Sequence, residues 1–167
     1  MSLIHRRIDL YKDTGYLLER HCRINYECDT PWHRKMSYDE YRQEWFSWQC
    51  QKDGFLNALT DSMKDGRTIA EIIENEAGEA VAYLWAPFHA DEESGFYFAD
   101  VQDLYVEQGF RKQGIASYLL DYAETKAREN GAAVIRSGTG CENMKSVALH
   151  EKMGYYQYRY EYEKLLK

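Results

Sequence analysis

From Ile115 to Gly131 the apolar residues Ile115, Leu119, Leu120, Ala123 and Ala127 recur three or four positions apart, which is one face of a helix, and Gly131 is placed to end it. Leu17, Leu18 and Ile24 give a second helix over 14–27. A third, over 37–59, opens with Ser37 followed three residues later by Glu40, a capping box, and carries Tyr41, Trp45 and Trp48 as its stripe, with a break expected at Gly54. The period then changes. Residues 67–88 read as two strands joined by a turn at Asn75–Gly78, the second ended by Pro87. "HRRIDL" gives a first strand, 95–106 one long extended run, 132–137 a strand, 142–155 a short helix closed by Gly154, and 155–166 a last strand rich in tyrosine. This order predicts an α/β or α+β sheet with helices on its faces.

At 167 residues, 44% hydrophobic and 29% charged, with no repeat or low-complexity linker, the chain reads as one folded domain over 1–167. No stretch approaches the roughly 18 apolar residues of a membrane span, and the first residues are too polar for a secretory signal, so a cytoplasmic location is expected, with no membrane partner. Cys22, Cys28, Cys50 and Cys141 have neither metal-ligand nor disulfide spacing, so no metal is expected. The net charge of −7 is uneven. Residues 1–100 hold 11 Lys/Arg against 19 Asp/Glu, and residues 101–167 hold 10 against 9. The first part favours a cationic partner and the second tolerates phosphate, while nothing resembles a nucleic-acid-binding stripe.

Chemistry concentrates at Arg111, Lys112, Gln113, Gly114, Ile115, Ala116 and Ser117. Amides at a helix start lack internal partners and carry partial positive charge, Gly114 admits close approach, and Arg111 and Lys112 add charge, so the turn suits a pyrophosphate. It is neither a Walker loop nor a dinucleotide fingerprint. An ordinary turn feeding a helix is the plainer reading of the same residues. Asn143 is a good helix N-cap on its own account.

"LYVEQGFRKQGIASYLL" resembles the acyl-CoA-binding motif of the GNAT superfamily of N-acetyltransferases, Arg/Gln-x-x-Gly-x-Gly/Ala, met here by Arg111, Gly114 and Ala116. A second family motif is approached by "NMKSVALHEKMGY", Asn143 to Tyr155. The resemblance covers about residues 67–166 and leaves 1–66 as the variable, substrate-side part. It implies a mixed, mostly antiparallel central sheet of about six to seven strands with helices on both faces. It further implies acetyl-CoA as donor, backbone groups of Leu104 and Val106 along its pantetheine arm, the amides of 111–117 on its pyrophosphate, and Asn143 near the pantetheine or acyl region.

Acetylating an amine requires a neutral nitrogen. A lysine-like amine is neutral about once in 2,500 at pH 7, a cost of about 4.6 kcal/mol, so a base is wanted. By family position Asp100 is the first candidate. Strict alternation puts Asp100, Gln102, Leu104 and Val106 on one face and Val101, Asp103 and Tyr105 on the other, leaving Asp103 a supporting or structural group. His150 stands where the family usually has a tyrosine as acid to the CoA sulfur, and histidine is able to donate there too. A helix-surface histidine and a water-facing aspartate are the bland alternatives. Trp32, Trp45 and Trp48 with Tyr38 and Tyr41 fall in the substrate-side part, as core packing singly or an aromatic wall for a cationic amine as a set. Tyr156, Tyr158, Tyr160 and Tyr162 alternate on the last strand, which suggests sheet packing and an edge for a homodimer. The expected activity is acetyl transfer to a small cationic amine. Acetylation of a protein lysine or N-terminus, and acyl-CoA sensing without catalysis, are the rival readings.

Overall fold

Two apolar cores, one on each side of the sheet, organise the described residues, with a third, smaller cluster around Cys22. The computed structural model describes residues 2–28, 35–91, 94–164 and 166. The elements run β1 (Ile4–Arg7), α1 (Leu10–Cys28), α2 (Tyr38–Ser47), α3 (Gln49–Ser62), β2 (Ile69–Glu74), β3 (Ala80–Ala86), β4 (Phe88–Ala90), β5 (Tyr97–Val101), β6 (Asp103–Val106), α4 (Ile115–Glu129), β7 (Val134–Ser137) and α5 (Met144–Lys152). Strands β1-β2-β3-β6 pair antiparallel in that order, and β4-β5-β7 form the second section of the sheet. Among the described residues only β5 and β7 pair parallel, as a crossover through α4 requires.

The predicted face of α4 is the buried one, and it packs with β3, β5 and α5 on one side of the sheet. On the other side Leu17 of α1 and Phe55 and Leu59 of α3 cover Ile72, Tyr83 and Trp85. His5 ties α4 to the sheet: its Nδ1 lies 2.6 Å from Glu71 and its Nε2 3.0 Å from the Tyr118 hydroxyl, while Tyr122 donates to Glu71 at 2.9 Å.

The structure corrects the reading of the sequence at three places. The helix over 37–59 breaks at Trp48, whose backbone is extended, and Gly54 lies inside α3. Tyr41 and Trp45 pack on Cys22, whereas Phe55 and Leu59 enter a different core, so one straight helix would not serve both. A mid-helix glycine costs only about 1 kcal/mol against alanine.

The run over 95–106 is interrupted at Gln102. From the pair Phe88↔Ala99 to the pair Trp85↔Asp103, one strand moves three residues and the other four. The extra residue is a β-bulge, and it inverts the alternation. Ala99, Val101, Leu104 and Val106 therefore face α4, while Asp100 does not share their side and Asp103 packs toward α1.

The last strand does not form. Residues 155–164 make no ladder, and Tyr156, Tyr158, Tyr160 and Tyr162 are exposed. Alternation specifies which face a strand would bury; here Tyr155 packs on the α4-side core and Arg136 lies 5.1 Å from the Tyr158 ring centre, but no strand edge of the described residues pairs with the segment.

Candidate active site

The bulge also opens the site. β5 and β7 run side by side as far as Val101↔Ser137; beyond that point β6 stays on β3 and β7 ends. Glu107 N–H donates to Val81 O at 2.9 Å, so antiparallel alternation turns the backbone groups of Asp103 and Tyr105 toward β3. Those of Leu104 and Val106 face the edge of β6 that no described strand pairs with, where Val106 O accepts from Arg111 Nε. This is the strand-like edge on which a pantetheine arm can pair.

The edge leads into the turn before α4. Lys112 and Gly114 have φ of 64° and 84°, the left-handed region, and a left-handed Gly114 is the residue that caps α4. The amides of Ile115, Ala116 and Ser117 have no intrahelical acceptor four residues back. Nothing lies within 4 Å of where a Cβ on Gly114 would stand, so a ligand has room to reach the backbone. Successive amides in such a turn form an anion-binding concavity, which fits a pyrophosphate. Arg111 is turned away from it. Its Nε donates to Val106 O at 2.9 Å, its guanidinium lies 5.2 Å from the Tyr105 ring centre, and Nη1 is 3.9 Å from Glu27. The turn therefore presents backbone amides and exposed side chains of Lys112 and Gln113, with Arg111 bracing it.

Across the opening, Asn143 caps α5, its Oδ1 accepting from Ser146 N–H at 3.4 Å, and its amide group lies 3.8 Å from Cys28 Sγ. His150 faces the end of β7. Its Nδ1 is 2.7 Å from the Ser146 carbonyl, an acceptor only, so Nδ1 carries a proton; Nε2 lies 2.8 Å from Ser137 Oγ. The structure thus adds Ser137 between His150 and the opening, and 13 residues of separation hid that pairing from a reading of motifs.

On the sheet face opposite α4, Asp100 is half-buried and accepts from Gln102 Nε2 at 2.6 Å. Asp103 is 3% exposed. Its Oδ2 receives the Tyr83 hydroxyl in a short hydrogen bond and lies 2.7 Å from His21 Nδ1. Burial, and then the Asp103 charge, push the Tyr83 hydroxyl well above its usual pKa, so it remains a donor. His21 stacks on Phe55 at 4.0 Å and meets Trp45 edge-on at 6.0 Å. Nothing in the spacing of His21, Tyr83 and Asp103 links them; the fold alone brings them together.

Of the aromatic set, Tyr41 and Trp45 are core and Trp48 is exposed, with only a narrow crevice between them and Glu44; Trp32 lies outside the described residues. A larger groove of about 390 Å³ lies elsewhere, between Arg67 in the turn before β2, Glu71 of β2, and Lys126 and Glu129 of α4, and none of its lining residues belongs to the opening.

A sheet parted at a bulge, with an amide-rich turn at the foot of the gap, is the mixed α/β architecture that the resemblance to an acyltransferase family implied. The model of the Acetyltransferase (GNAT) family matches residues 20–155, and the chain belongs to that family. It is 31% identical over 86 residues to the uncharacterized N-acetyltransferase YdgE of Bacillus subtilis (strain 168), a match covering 50% of this chain and 52% of that protein. It is 21% identical over 113 residues to aminoglycoside N(6')-acetyltransferase type 1 of Acinetobacter genomosp. 13, covering 66% and 77%. A crystal structure described as a transcriptional regulator from Bacillus halodurans C-125 superposes with a TM-score of 0.68 at 18% identity, covering 99% of this chain and 100% of that one, which is a likeness of fold.

Proposed function

We propose that this chain transfers the acetyl group of acetyl-CoA to a primary amine of a small cationic molecule. The observation that carries the reading is the edge of β6, which no described strand pairs with, followed within a few residues by the left-handed turn at Lys112–Gly114. Leu104 and Val106 would hold the pantetheine arm, the amides of 111–117 the pyrophosphate, and Asn143 the acyl end. When bound there, the cofactor supplies an activated acetyl thioester. Asp100, at the mouth of the gap, would meet the acceptor's ammonium group, and His150 would serve the departing sulfur through the Ser137 hydroxyl. The acidic first hundred residues support a cationic acceptor, as does the similarity to an enzyme named for aminoglycosides. A homodimer fits the uncovered tyrosine tail, since such an exposed apolar row is covered at little cost by a second copy.

Thiol release from acetyl-CoA, measured against a polyamine, an aminoglycoside, an amino sugar and a lysine peptide, tests the proposal. Release with a small amine is the expected result. Release with the peptide alone would move the acceptor to protein, and CoA binding without release from any acceptor would favour a sensor.

A further inference from the structure

Asp103 is a buried carboxylate in the middle of an apolar sheet, and its partners account for its burial without accounting for its position. Such a charge is kept only where hydrogen bonds replace water, and Tyr83 and His21 supply them. The geometry fixes His21. Nδ1 faces Asp103 Oδ2 at 2.7 Å, Phe55 lies flat on the ring, and Trp45 stands against its edge. Nδ1 therefore carries the proton in the neutral ring. Nε2, on the far side, makes no hydrogen bond among the described residues, and the side chain is 19% exposed. The indole N–H of Trp45, whose ring stands against that of His21, is likewise buried without a partner among the described residues. Asp103 is the first residue past the bulge, so this pair borders the parting of the strands from the β6 side, as Ser137 and His150 border it from the β7 side.

Resting on the acetyltransferase reading, we infer that His21, oriented by Asp103, is the base that takes the proton of the incoming amine. The ammonium gives one proton to Nε2, and the imidazolium that forms is held by the Asp103 carboxylate, with the Tyr83 hydroxyl fixing that carboxylate. The freed nitrogen lone pair forms the N–C bond to the acetyl carbon as the C–S bond breaks. The forming amide loses a second proton, the sulfur gains one, and the proton on His21 passes to water. Asp100 draws the cation and His21 deprotonates it, so the attraction that holds the ammonium need not be overcome by the same group. Asp103 is a positioning residue: it sets the tautomer and does not touch substrate.

Histidine-selective ¹⁵N NMR of the chain without ligands reads the tautomer directly. Neutral His21 is expected with its proton on Nδ1, and Asp103→Asn is expected to shift the balance toward Nε2–H. In thiol-release assays with water, spermidine and kanamycin as acceptors, His21→Gln is expected to lower kcat by about 10²–10⁴. CoA affinity by calorimetry should stay within about threefold in that variant, whereas Asp100→Asn should act mainly on KM for the amine. A wild-type His21 protonated on Nε2, or a His21→Gln turnover within about threefold of wild type from about pH 6 to 9, overturns the assignment. Absence of CoA binding by the wild type would instead overturn the acetyltransferase reading, and the tautomer measurement would still decide the His21–Asp103 pair.

Discussion

A carboxylate that leaves water must find its hydrogen bonds in the protein, and Asp13 does so at the start of α1. It is 6% exposed and accepts from Arg6 Nη1 at 2.7 Å, Arg6 Nη2 at 3.0 Å and Asp9 N–H at 2.8 Å. Burial raises its pKa, but the bonds from Arg6 and the Asp9 amide outweigh that and hold it below the ordinary range. A depressed carboxyl stabilises the fold above its unfolded pKa and loses that contribution as pH falls through the folded one. Asp13→Asn should therefore cost about 2–3 kcal/mol in urea denaturation at neutral pH, with the gap to wild type narrowing below about pH 4. At His150 the expected effect is on rate. His150→Ala should lower turnover by about 10²–10⁴ with CoA affinity little changed, while His150→Tyr keeps substantial activity. Stopped assays and calorimetry on the same preparations check both. Sequence alone placed His150 and Gly114 correctly on their elements, yet left Arg111 as a charge beside the phosphates. The guanidinium instead folds back to Val106 O five residues earlier, a contact that motif spacing does not reveal.

Among the elements, the turn before α4 carries the clearest expectation. Gly114 sits at φ 84°, where a side chain costs about 1–2 kcal/mol, although the space around it is open. Gly114→Glu adds that strain and places a carboxylate where phosphates would bind. CoA binding by calorimetry should disappear, while thermal unfolding stays cooperative. Retained affinity would remove this turn from the site. The capping box at Ser37 was legible because it is local: Ser37 Oγ accepts from Glu40 N–H at 3.3 Å, and Glu40 reaches back to Ser37 N–H at 2.7 Å. The bulge at Gln102 was not, because one inserted residue leaves no mark on a run in which both Asp100 and Asp103 break the apolar pattern.

Over the whole molecule, α1 reaches from the sheet to the loop beyond β7. Arg20 pairs with Glu107 at 2.6 Å, His21 with Asp103, and the Cys28 carbonyl lies so near Gly140 that an added Cβ would stand 2.4 Å from it. Gly140→Ala must push the end of α1 away from the loop that carries Asn143. A loss of about 1–3 kcal/mol and weaker CoA binding are expected, measurable by thermal melts and calorimetry. For the proposed homodimer, light scattering should give twice 19.8 kDa, falling to a monomer lighter than 19.8 kDa when the chain is cut after Tyr155.

The sequence by itself determined the elements whose signals are local, namely the α4 stripe, the capping box and the turn at Asn75–Gly78, and it located the helix-start amides. Those features depend on residues within a turn or two of each other. Only the tertiary structure decided which side of the sheet Asp100 and Asp103 face, that His21 and Asp103, 82 residues apart, share a hydrogen bond, and that the tyrosine tail finds no strand partner among the described residues. Parity across a bulge and contact between distant segments are properties of packing, because each is fixed by what a neighbouring element does and not by the residues on either side in the chain.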